Sequence, residues 1–162
     1  MTKHFSGYLA PLASVVLLAG CSAKTADNQA EVVANSEAPQ NLSIPASELQ
    51  FTATAVFAPN GDGPLLAAPA FGDMAKGAHS TFIRMPSGFS GSVHTHTHDF
   101  RVAVISGVGV NVAVGGKDIP LPPGSYWFQP GGKKHVTKCI SETDCLFYAT
   151  QSEAFDYNVV TP

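Results

Sequence analysis

The sequence predicts a single all-β domain, and three observations carry that reading. Hydrophobic residues make up 44% of the 162, while charged residues are only 13% and Gly and Pro number 15 and 12, the balance of a turn-rich chain rather than a helical one. From Leu49 onward, short apolar runs are broken by Gly and Pro clusters at fairly regular spacing, which points to a sandwich or barrel. No helical period of useful length appears in that part.

The elements follow in order. "MTKHFSGYLAPLASVVLLAGC" sets Lys3 before an apolar run that ends at Leu18, with small Ala19 and Gly20 ahead of Cys21, which is a signal-peptide pattern. The run is shorter than the ~20 residues a membrane-spanning helix needs. "LAGC" resembles a bacterial lipobox, and that resemblance implies cleavage before Cys21 and a diacylglycerol on its thiol. Acyl chains worth ~0.8 kcal/mol per buried CH₂ would then tether the chain to a membrane that it does not span. Ser22 stands where an Asp would suggest inner-membrane retention, so the expected address is the bacterial cell envelope, with the periplasmic face of the outer membrane favoured. The stretch from Ser22 to Glu48 is rich in Ala, Ser, Asn, Gln and acidic residues and reads as a flexible tether. After it, "LQFTATAVF", "STFIRM", "SVHTHTH", "RVAVISGVGVNVAV", "YWFQP", "HVTKC" and "CLFYATQ" read as strands, separated by turns such as "PNGDGP", "VGGKD" and "LPPGS".

Three of the six histidines, His94, His96 and His98, fall at alternate positions within one predicted strand. Successive side chains of a strand alternate faces, so a regular strand would place all three imidazoles on one face. Neutral imidazole is the commonest metal ligand. A fourth, His135, follows "GSYWFQPGGKK", in which Gly124 permits a tight turn after "LPP" and Pro130-Gly131-Gly132 reverses the chain, returning His135 to the face of the others.

These spacings resemble the two motifs of the cupin superfamily. Gly88, "FSGSV", His94-Thr95-His96 and Gly107 stand in the first frame, while Gly124, "SYWFQ", Pro130-Gly131-Gly132, "KK" and His135 match the second position by position. The resemblance spans residues from about 50 to 158. Within the superfamily the chain is most similar to small single-domain cupins related to the ChrR-type (anti-sigma-factor) cupin, through "PPGSYWFQPGG" and "HVTK". It implies a double-stranded β-helix, or jelly-roll barrel, over residues 49–162, following a signal peptide at 1–20 and the lipidated cysteine and tether at 21–48. It also implies one divalent transition metal per domain.

Two departures bear on the metal site. Where the family carries a Glu ligand this chain has Phe100 or Arg101, and the Asn that closes the second motif is Cys139. The fourth ligand is then His98, Asp99 or water; alternation favours His98, whereas Asp99 needs a bulge. Ligation by nitrogen alone suits Zn or Fe first, with Ni or Cu also fitting, rather than Mg or Ca.

Cys139 and Cys145 flank "ISETD", which reads as a hairpin turn bringing the two thiols opposite each other; a disulfide is favoured in an oxidising compartment. The alternative, from its motif position, aims Cys139 into the metal cavity. Arg101, beside the histidine strand, is a candidate for a substrate carboxylate, and Trp127 for the wall of a pocket. His79 has no assigned role.

Two functions remain open: a module that binds metal or a small molecule, and a metal-dependent enzyme of dioxygenase, isomerase or lyase type acting on a small organic substrate. The missing Glu favours binding. A net charge of -3 leaves no basic footprint and argues against nucleic acid as a partner. The expected partners are the membrane, through the lipid anchor, and a small-molecule ligand; a homodimer stays open.

Overall fold

The computed structural model describes residues 41–59 and 63–160. The signal peptide, Cys21 and most of the expected tether therefore lie outside the described residues. Among those described, no helix is long and apolar enough to cross a membrane. A single 3-10 turn at Ala46–Glu48 precedes ten strands.

The strands are β1 (Thr52–Phe57), β2 (Pro64–Gly72), β3 (His79–Met85), β4 (His94–Thr95), β5 (Phe100–Ser106), β6 (Gly109–Ala113), β7 (Tyr126–Gln129), β8 (His135–Cys139), β9 (Cys145–Gln151) and β10 (Asn158–Val159). They form a six-stranded sheet in the order β1-β2-β3-β9-β5-β7 and a four-stranded sheet in the order β10-β4-β8-β6. Every pairing is antiparallel. This is the jelly-roll architecture that the cupin resemblance implied, within the sandwich-or-barrel class that the short runs predicted. On β3, His79, Thr81 and Met85 are buried, and on β9, Cys145, Phe147 and Gln151 are; both follow the two-residue period of a half-buried strand. The core gathers Val56, Met85, Phe89, Val102, Val104, Trp127 and Phe147 with the two bonded cysteines.

Three elements differ from the expectation. β2 was not foreseen, because "PLLAAPAFG" is rich in Ala and carries two prolines, which remove ladder donors. Pairing on both sides holds it in place, with a register irregularity beginning at Pro69. The run "RVAVISGVGVNVAV" is two strands in different sheets: Gly107 turns between them at φ 75°, and a Cβ there would lie 2.8 Å from Cys145 Cα. Finally, residues 140–144 do not make a hairpin. β8 and β9 belong to different sheets, so the segment is a crossover, and the disulfide joining Cys139 to Cys145 links one sheet to the other.

Candidate metal centre

β4 and β8 place the first two histidines directly. His94 and His135 are Cα partners across the ladder, with ring centroids 4.1 Å apart. His96 lies two residues beyond His94 on the same side, 4.9 Å and 5.2 Å from the two rings. One nitrogen of each falls within 4.8 Å of the others, and all three side chains are buried.

Their hydrogen bonds fix how the rings face. His94 Nδ1 is 2.8 Å from the Ser92 carbonyl, His135 Nδ1 is 3.0 Å from the Lys133 carbonyl, and His96 Nδ1 meets the Asp156 carbonyl. A carbonyl oxygen only accepts, so each Nδ1 carries the proton and donates it, and each Nε2 is left with a lone pair. Backbone partners of this kind orient metal-binding imidazoles. His135 Nε2 is buried without a hydrogen-bond partner. Burial pushes His94 down to about 3 and His135 down to about 4, and lowers His96 as well, so the rings stay neutral and ready to donate lone pairs at ordinary pH. Three neutral nitrogens around one point fit a transition-metal ion and leave coordination positions for other groups.

Neighbouring groups hold the rings. Tyr157 stacks on His94 at 4.0 Å, and Phe100 meets His96 edge-on at 4.7 Å. The Asp156 carboxylate accepts from the Thr97 N–H at 2.8 Å, from the Thr97 hydroxyl and from Asn158 at 2.8 Å, clamping the chain next to His96. Burial raises the Asp156 carboxyl, but the Thr97 and Asn158 hydrogen bonds outweigh it and hold the group below the usual carboxylate range. Nothing in either motif marks Asp156; it arrives from 60 residues downstream of His96.

The other expected ligands are elsewhere. His98 is exposed and outside the histidine group, because β4 ends at Thr95 and a bend at Thr97–His98 breaks the alternation. Asp99 is exposed too, its carboxylate accepting from the Gly131 N–H at 2.7 Å. With the Gly132 N–H donating to the His96 carbonyl at 2.7 Å, this ties the Pro-Gly-Gly turn to the histidine loop. The approach is close enough that a Cβ on Gly131 would fall 2.4 Å from the Thr97 carbonyl oxygen. Arg101 does not face the site: it is exposed on β5, its guanidinium 5.0 Å over the Phe128 ring. Cys139 is taken up by the disulfide at the end of β8 away from His135, which removes it from the metal cavity. Trp127 is buried on the cavity wall, edge-on to Phe147.

The cavity beside the triad has a volume of about 80 Å³, and its walls are mostly apolar, from Val56, Leu65, Met85, Phe89, Val102 and Phe147. That is less than the ~150 Å³ that accommodates benzene in an engineered protein cavity. His79 lines it as well, a buried residue to which sequence reasoning gave no role.

A jelly roll with a histidine triad contributed by β4, the segment just after it and β8 defines the class of protein: the domain has a cupin-type fold. More narrowly, residues 53–161 match the family described as "Domain of unknown function (DUF4437)", and the chain belongs to it. Among solved structures it is similar to the polyketide cyclase RemF from Streptomyces resistomycificus, with TM-score 0.60 and 16% identity over 76% of this chain and 87% of that one. A predicted oxalate decarboxylase from Thermotoga maritima gives TM-score 0.56 and 24% identity over 69% and 99%. A cupin-2 domain protein from Rhodospirillum rubrum gives 0.57 and 15% over 76% and 83%. These likenesses show the shared fold. No curated protein matches the chain in sequence.

Proposed function

We propose that the domain holds one divalent transition-metal ion through the Nε2 atoms of His94, His96 and His135, and binds a small molecule at the positions that remain open beside the cavity. The observation that carries this is the buried, unpartnered Nε2 of His135, next to two imidazoles whose Nδ1 atoms are likewise committed to backbone carbonyls. A buried nitrogen left unpaired is costly, and a coordinated ion would satisfy all three at once. Zn or Fe suits an all-imidazole set best, with Ni or Cu also compatible. When bound, the ion would supply Lewis acidity.

Catalysis on a small organic substrate is the second reading. It is supported by the open coordination positions and by neighbours of the same fold named as a cyclase and a predicted decarboxylase. The finer likeness to ChrR-type cupins, resting on "PPGSYWFQPGG" and "HVTK", supports a regulatory or sensing use of the bound ion instead. "LAGC" at residues 18–21 supports delivery to the bacterial envelope as a lipoprotein anchored through Cys21.

Elemental analysis of the protein purified from its own cells tests the metal reading. One equivalent of a transition metal per chain is expected, removed by chelator and restored by titration. A chain that arrives empty and takes up none of zinc, iron, nickel or copper overturns it.

A further inference from the structure

We propose that His79, Thr81 and Gln151 form a second recognition site in the metal cavity, one that accepts a hydrogen bond from a hydroxyl group of a small, otherwise apolar ligand; this rests on the small-molecule reading above. The three side chains come from the larger sheet, on the inner faces of β3 and β9, where His79 and Gln151 are register partners. They line the same cavity as His94, on β4 of the smaller sheet, and His96, in the segment just after it. All three are buried. No Asp, Glu, Lys or Arg shares the described lining, so the trio is set in a wall without acidic or strongly basic side chains.

Complementarity assigns each donor. Gln151 Nε2 donates to the His98 carbonyl at 3.3 Å, which turns Oε1 toward His79 Nε2, 3.3 Å away. An amide oxygen only accepts, so His79 Nε2 carries the ring proton and Nδ1 is the acceptor. The Thr81 hydroxyl, 3.0 Å from Nδ1, must then donate its single proton there. Its oxygen keeps two lone pairs and has no donor directed at them among the described residues. A polar oxygen held in that state beside an apolar cavity favours a ligand O–H over the hydrocarbon of the same size.

The complementary feature is a buried donor. Trp127 Nε1 lacks a partner among the described residues, and Trp127 belongs to the same lining. A hydroxyl both donates and accepts, so it is the group chemically suited to a cavity whose lining residues include an open acceptor and an unpartnered donor. With the metal end suited to an oxygen anion, the ligand class is a short hydroxy acid. A cavity of about 80 Å³ is matched in size by a ligand of a few carbons.

The test compares glycolate, 3-hydroxypropionate and 4-hydroxybutyrate with acetate, propionate and butyrate. Binding to the full chain is read by calorimetry in metal-free and zinc-loaded protein. At least one hydroxy acid is expected to bind threefold or more tighter than its parent, in line with one neutral hydrogen bond. Thr81→Val should erase that advantage, and Thr81→Ser should keep it. Thr81→Ala replaces the valine variant if the latter does not fold. The proposal is overturned if no hydroxy acid outperforms its parent in either form of the wild type, or if the advantage survives loss of the Thr81 hydroxyl. Zinc uptake is titrated separately, so a failure of the metal reading shows as absent uptake and not as a missing hydroxyl advantage.

Discussion

The two ends of β8 are both buried, yet they are finished differently. At one end Cys139 is closed by a covalent bond to Cys145, which spans the two sheets and leaves no reactive group behind. At the other, His135 has its Nδ1 satisfied by Lys133 and its Nε2 satisfied by nothing among the described residues. Five residues of one strand thus join a sealed structural end to an end whose chemistry is left for something else to complete. Burial is common to both; what separates stability from function here is whether the buried polar atom has a partner inside the fold.

The largest expected effect comes from removing the open end. His135→Ala should lower metal affinity on the order of a hundredfold or more, above the cost of losing a supporting contact alone, with the domain still folded by circular dichroism. Retention of full metal content would break the contrast between the two ends.

Acid should expose the same contrast through stability. His94 and His135 titrate at about 3 and about 4 in the folded protein, against ~6.5 for an unperturbed imidazole, both because of burial. Between those values the unfolded chain binds more protons than the folded one, so stability rises with pH and is lost as pH falls below about 6.5. Urea midpoints of metal-free protein should drop steadily from pH 7 to 4.5. Replacing His94 by Gln should flatten that slope, and an unchanged slope would mean that the imidazoles do not set it.

At the sealed end, the Cys139→Ala, Cys145→Ala double variant should lose about 2 kcal/mol of unfolding free energy, as expected for so short a loop. Its zinc affinity should change by less than about threefold, since the bond lies at the far end of β8. A large loss of affinity would show that the two ends are coupled.

The smallest effect sharpens the boundary of the site. His98→Ala should leave metal affinity within about threefold of the wild type, because the ring is exposed and outside the group. A loss of tenfold or more would return His98 to the ligand set.

Much of this was legible in local pattern. A sandwich or barrel was readable from alternation and turn residues, and the placement of His94, His96 and His135 from parity and the Pro-Gly-Gly reversal, because these depend on the geometry of a few adjacent residues; the jelly roll itself came from the resemblance of the two motifs to those of cupins. His98 and Asp99 were legible only as alternatives. Parity holds as long as a strand continues, and how far it continues is set by its neighbours: β4 keeps just two residues in the ladder, and only His94 pairs with β8. Beyond Thr95 the chain obeys hydrogen bonds to Asp156 and Gly131, groups too distant in sequence to register in any local period. His79 and Gln151 are likewise 72 residues apart and meet only because β3 pairs with β9. The sequence by itself determined which residues can donate to a metal and which way a regular strand would turn them. Tertiary structure decided where the strand stops, which carbonyl fixes each imidazole, and that the strands ending and starting at Cys139 and Cys145 lie in different sheets, because strand ends and buried polar atoms are settled by partners the local chain does not contain.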